Sequence, residues 1–112
     1  MKRLHLILAI ALLGLGVAGC APLKPASPSM FFGNCITPPG PDLCDSDQSI
    51  CQNFVGVISQ KHATAAACTA ACNQVYNSLY YQQYDLRSCG GTLDRANDLC
   101  QQECLRQYPA QK

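Results

Sequence analysis

Cys68-Thr69-Ala70-Ala71-Cys72 and Cys100-Gln101-Gln102-Glu103-Cys104 carry their cysteines at one spacing, i and i+4. On a helix that spacing puts both side chains on one face, with Cβ atoms roughly 6 Å apart. A disulfide holds its Cβ atoms about 3.8 Å apart. Neither pair therefore closes on itself readily, and each is expected to bridge to another segment. Laid antiparallel as a hairpin, two such helices would join Cys68 to Cys104 and Cys72 to Cys100.

The residues around both pairs have helical patterning. Thr64 is placed to cap a helix running from Ala65 to about Tyr84, opened by alanines of high helix propensity. Ala65, Cys68, Cys72, Val75, Leu79 and Leu86 make its apolar stripe. Cys89-Gly90-Gly91 breaks the chain, and Thr92 is expected to cap a further helix that Pro109 ends. Asp94 in its first turn favours the dipole, and Leu93, Ala96, Cys100 and Cys104 share its inner face. With Cys72 opposite Cys100, the arm to Tyr84 outruns the arm back to Leu93 by about a turn and a half, roughly 7 Å. A shorter helix, or a loop from Tyr84 to Gly91, would absorb the difference.

The paired motifs resemble those of the twin Cys-x3-Cys helical hairpin proteins of the mitochondrial intermembrane space. The resemblance rests on these four cysteines alone. Residues 73–99 separate the motifs here, a considerably longer gap than in that family. What it implies is a hairpin; no chaperone function is carried over with it.

Upstream, Pro38-Pro39-Gly40-Pro41 is incompatible with a regular element, so Cys35 to Asp47 is expected to be loop. Asp45-Ser46-Asp47 supplies capping residues for a helix from about Gln48 to Ser59. Cys51, Phe54, Val55 and Ile58 would share one face of it. Gly56 weakens that helix, and Val55-Gly56-Val57-Ile58 could form a short strand instead.

A domain spanning 35–112 is small enough to need covalent staples. With Cys20 set aside, the remaining cysteines are Cys35, Cys44, Cys51, Cys68, Cys72, Cys89, Cys100 and Cys104. An even set in an exported domain reads as a disulfide framework, here with 105 possible pairings. Cys35, Cys44, Cys51 and Cys89 are left to pair among themselves, with their partners open. The expected fold is mainly α: a small disulfide-rich helical domain with a Cys-x3-Cys hairpin.

The N-terminus explains why Cys20 stands apart. Lys2 and Arg3 precede an apolar run from Leu4 to Val17, too short to serve as a stop-transfer span. It ends in Leu15-Gly16-Val17-Ala18-Gly19-Cys20, and Val17-Ala18-Gly19-Cys20 looks like a bacterial lipobox. That resemblance is to lipoprotein signal peptides as a class. It implies cleavage before Cys20, with diacylglycerol on the thiol and an acyl chain on the new amino group. Two such attachments satisfy the requirement for stable anchoring in a bilayer. Ala21, in place of aspartate, implies export to the outer membrane of a two-membrane cell; in a one-membrane cell the same anchor holds the domain outside. The expected organisation is a cleaved signal at 1–19, a lipidated N-terminus and proline-rich tether at 20–34, and the stapled domain at 35–112.

Pro22, Pro25 and Pro28 recur at the polyproline II period, which would hold the domain roughly 30 Å from the acylated cysteine. An irregular linker fits the same residues. Met30-Phe31-Phe32-Gly33 is expected to pack on the domain in preference to dipping into lipid.

Composition narrows the function. Loss of Lys2 and Arg3 takes the formal net charge from +1 to −1, which leaves no basic patch for nucleic acid. His62 is the single histidine of the mature chain, in a polar connector with no Gly-x-Ser-x-Gly anywhere, and is expected to be a solvated loop residue. Asp94 and Asp98 read as a solvated helix face. Cys-x-x-Cys and Cys-x-x-Cys-His are absent, which argues against thioredoxin-like chemistry and haem attachment. The cysteine spacing is also unlike a zinc knuckle. No catalytic residue, metal or cofactor is expected beyond the acyl groups on Cys20.

One surface stands out. Tyr76, Tyr80 and Tyr84 repeat every fourth residue, with Tyr81 adjacent, in a stretch from Asn73 to Tyr84 that has no charge. Tyrosine pairs a large apolar ring with one hydrogen bond and is enriched at interfaces. These rings either edge the core or face an envelope protein or glycan. The expected function is a membrane-anchored, non-enzymatic binding or structural module. The alternatives are a small envelope enzyme or inhibitor without a readable motif, and a redox or metal-binding protein.

Overall fold

The computed structural model describes residues 21–36, 44–82 and 89–110. The described residues form four helices and no strand: α1 (Pro28–Ile36), α2 (Asp47–Ile58), α3 (Ala65–Gln82) and α4 (Gly90–Gln107). The protein is thus mainly helical and disulfide-rich. α3 packs along α4, α2 lies against both, and α1 packs on α2 and α4 without touching α3.

The hairpin is stapled at two levels. Cys68 bridges Cys104 and Cys72 bridges Cys100, with Cα atoms 5.6 and 6.0 Å apart. Part of the anticipated mismatch of arms is removed by α4, which starts earlier than expected. The described part of α3 reaches Gln82, with Gln83 and Tyr84 outside the described residues, and α4 starts at Gly90, two residues before Thr92. Cys72 to Gln82 and Cys100 back to Gly90 are then equal in length. Thr92 is therefore no cap; it is buried in the first turn. Glycine is tolerated there because the first-turn N–H groups need no intrahelical partner, and Cys89, bridged to Cys44, fixes the chain just before it. Thr64 does cap α3: its Oγ1 accepts the Ala67 N–H at 3.1 Å.

α2 settles the helix-or-strand alternative at residues 55–58. Ile50, Cys51, Phe54, Val57 and Ile58 are all buried, a helical period that a strand would split between two faces. Gly56 is exposed, with open space where a Cβ would stand. Ser46 sits at the N-cap position without a side-chain bond, while Asp47 Oδ1 accepts the Gln48 N–H. Cys35–Cys51 and Cys44–Cys89 are the other two bridges.

α1 is a departure from the expected tether. Ser27 is its N-cap, with Oγ accepting the Met30 N–H at 3.2 Å and the carbonyl accepting Phe31 N–H at 2.9 Å. Pro28 then occupies the first helical position, where its fixed φ suits the helix and its missing N–H costs nothing. Phe31 is buried against the core and Phe32 is half-buried, so this stretch packs on the domain. Cys35 and Ile36 end α1 and are not loop; residues 37–43 of the expected loop lie outside the described residues.

Two polar contacts orient α1. Before it, the Ala26 N–H donates to Glu103 Oε1 at 2.8 Å. At its end, Arg95 donates Nε and Nη2 to the Cys35 carbonyl at 3.2 and 3.0 Å. A cation at a helix C-terminus also complements the dipole. α1 therefore runs antiparallel to α4, from the Glu103 level to the Arg95 level.

Candidate functional site

The tyrosines divide by environment. Tyr76 is half-buried against the core, and its hydroxyl donates to Asp94 Oδ1 at 2.8 Å. That hydrogen bond, with desolvation behind it, holds the Tyr76 hydroxyl above its ordinary value of 10.0. Tyr80 and Tyr81 are 57% and 77% exposed. Tyr80 stacks on Tyr76 at 6.1 Å between centroids, and Tyr81 stands edge-on to Tyr80 at 5.7 Å. The rings thus brace one another. Tyr84 lies outside the described residues, as does Leu86.

Polar side chains continue this edge along the seam between α3 and α4. Asn73 Oδ1 accepts from Gln101 Nε2 at 2.9 Å and from Asn97 Nδ2 at 3.4 Å. With Tyr76–Asp94 they form a row of neutral and acidic groups that includes no cation. Asp94 and Asp98 are exposed, as a solvated face requires, but Asp94 also serves as the acceptor for Tyr76.

His62 is more constrained than a solvated loop residue. Its N–H donates to Tyr108 Oη at 2.7 Å, and its Nε2 lies 2.9 Å from the Val57 carbonyl. The ring meets Tyr108 edge-on. It locks the α2–α3 connector to the end of α4, and it stands by no nucleophile in any described contact. Gln107 adds a bond from Nε2 to the Ile58 carbonyl at 3.1 Å.

Glu103 escaped the sequence reading, since a glutamate between two helical cysteines resembles any surface residue. It is 1% exposed and accepts from Ala26, Arg106 Nη1 at 3.4 Å and Gln107 Nε2 at 3.5 Å. A buried carboxylate needs such partners.

The sulfurs of Cys68, Cys72 and Cys104 lie within 4.8 Å of one another, and Cys72 Sγ is 3.6 Å from Cys104 Sγ. All three are in disulfides, so they offer no thiolate to a metal. Residues 1–20, with Cys20 and its expected acylation, lie outside the described residues. No helix among the described residues is long and apolar enough to cross a membrane.

Fold and surface together define a class: a four-bridge helical domain that displays braced tyrosines on a stapled hairpin. No protein-family model matches the chain, and no curated protein or solved structure matches it.

Proposed function

We propose that this chain is a lipid-anchored, non-enzymatic binding module of the cell envelope, held by an acylated Cys20 and engaging a protein or glycan through Tyr80 and Tyr81. The observation that carries the reading is the pair of exposed, mutually braced rings on a helix that two disulfides fix to its neighbour. Exposed aromatic rings on a rigid scaffold offer contact area at small entropic cost. The lipobox resemblance and Ala21 support a position in the periplasm or at the cell surface.

Two measurements test it. Fatty-acid labelling should mark the wild-type protein and vanish in Cys20→Ser. Affinity capture from solubilised envelopes should retain a partner that a Tyr80→Ala, Tyr81→Ala variant loses while keeping its helical circular dichroism. Tyr76 stays unchanged in that variant because of its bond to Asp94. Equal capture by both proteins would reduce the rings to an edge of the core.

A further inference from the structure

The two bridges of the α3–α4 hairpin touch each other. Cys72 Sγ, bonded to Cys100, lies 3.6 Å from Cys104 Sγ, which is bonded to Cys68. That is close to the roughly 3–3.5 Å at which positioned reactants meet. All four cysteines are fully buried, so a thiolate freed among them has the neighbouring bridge as its nearest target.

A thiolate that attacks a disulfide sulfur forms a new bond there and expels the other sulfur as a thiolate, with no net oxidation or reduction. The helices decide which attack is open. If Cys72–Cys100 is opened, Cys72 stands beside Cys104; attack there forms Cys72–Cys104 and expels Cys68. If Cys68–Cys104 is opened, Cys104 stands beside Cys72; attack there forms the same Cys72–Cys104 and expels Cys100. Both routes therefore end in one isomer, with thiols at Cys68 and Cys100. Those two cannot then pair, because on antiparallel helices the line between them crosses the new bridge.

We propose that the two hairpin bridges are a single redox unit. Two electrons from a dithiol reductant, entering at either bridge, convert the pair to the diagonal Cys72–Cys104 bridge and free one thiol on each helix. The dithiol leaves as a disulfide, and its two protons end on Cys68 and Cys100. The proposal is independent of the anchor and of the tyrosine face.

The thiols identify the outcome, because Cys68 and Cys100 share no bridge in the folded protein. The full chain is reduced at pH 8 with limiting dithiothreitol, alkylated, and mapped by tandem mass spectrometry. The expected doubly alkylated species carries its labels on Cys68 and Cys100. Labels on Cys72 with Cys100, or on Cys68 with Cys104, would overturn exchange, as would labels spread over all eight bridged cysteines. Cys100→Ser and Cys68→Ser test each route without reductant. Each should form Cys72–Cys104 in part, with the label on Cys68 in the first and on Cys100 in the second. Labels confined to Cys72 in Cys100→Ser and to Cys104 in Cys68→Ser would overturn the proposal. If either variant lacks its helical circular dichroism, the wild-type map decides alone.

Discussion

At the scale of single residues, Glu103 and Tyr76 show how much depends on one acceptor. Glu103→Ala would leave the Ala26 N–H unpaired and open a void around a fully buried side chain. The expected cost is about 1–3 kcal/mol, read as a lower midpoint in urea. Glu103→Gln keeps an oxygen for Ala26 and should lose less; equal losses in the two variants would contradict the role given to that bond. Tyr76 makes a pH prediction. The folded chain holds its proton more tightly than the unfolded chain, through Asp94 first and desolvation second. Its contribution is therefore fully present below the unfolded value near 10 and is lost as pH rises through the raised folded value. Ring-carbon NMR titration should show Tyr76 ionising above its ordinary value of 10.0, and Asp94→Asn should move it back down. An unchanged midpoint in Asp94→Asn would remove the hydrogen bond as the cause.

At the scale of elements, the stapled pair was the most legible part of the sequence. Cys68, Cys72, Cys100 and Cys104 read as a hairpin because i,i+4 spacing leaves cross-helix bridging as the easy geometry. α1 was hidden by Pro22 and Pro25, whose three-residue rhythm absorbed Pro28 and masked its place behind the Ser27 cap. A helix this short is marginal alone; Phe31 burial, the Cys35–Cys51 bridge and Arg95 hold it, and none of these is a local signal. The start of α4 was misplaced because Gly90-Gly91 normally terminates helices, whereas here Cys89 fixes the chain at that point. The tyrosine spacing was visible, but which rings are exposed depends on Asp94 across the seam. Gly56 offers an element-level test. It lies exposed within α2 with nothing near an added Cβ. Gly56→Ala should therefore stabilise the domain by about 0.5–1 kcal/mol, a rise in thermal midpoint of a few degrees. A fall would show that the glycine serves some contact at the α2 surface.

At the scale of the whole molecule, the bridges span 16 to 45 residues of sequence. In the chain-entropy account each closure of that length contributes about 3–4 kcal/mol, comparable to the margin of a domain this small. Cys72→Ala with Cys100→Ala should lower the unfolding midpoint sharply, and full reduction should abolish most of the helical signal; a reduced chain that keeps its circular dichroism would show that packing alone suffices. The order of the bridges matters as much as their number. Cys35–Cys51 overlaps Cys44–Cys89, which in turn interlocks with Cys68–Cys104 and Cys72–Cys100. As a result, no peptide bond between Cys35 and Cys104 can be cut in a way that divides the molecule. A protease that nicks the His62 connector, or any other point in that span, produces two chains that stay covalently one particle until their sulfurs are reduced. On a non-reducing gel the nicked protein should migrate intact, and separate only with reductant. Shedding from an anchor would require a cut before Cys35, within the short run that Ala26 and Glu103 hold against the body of the domain.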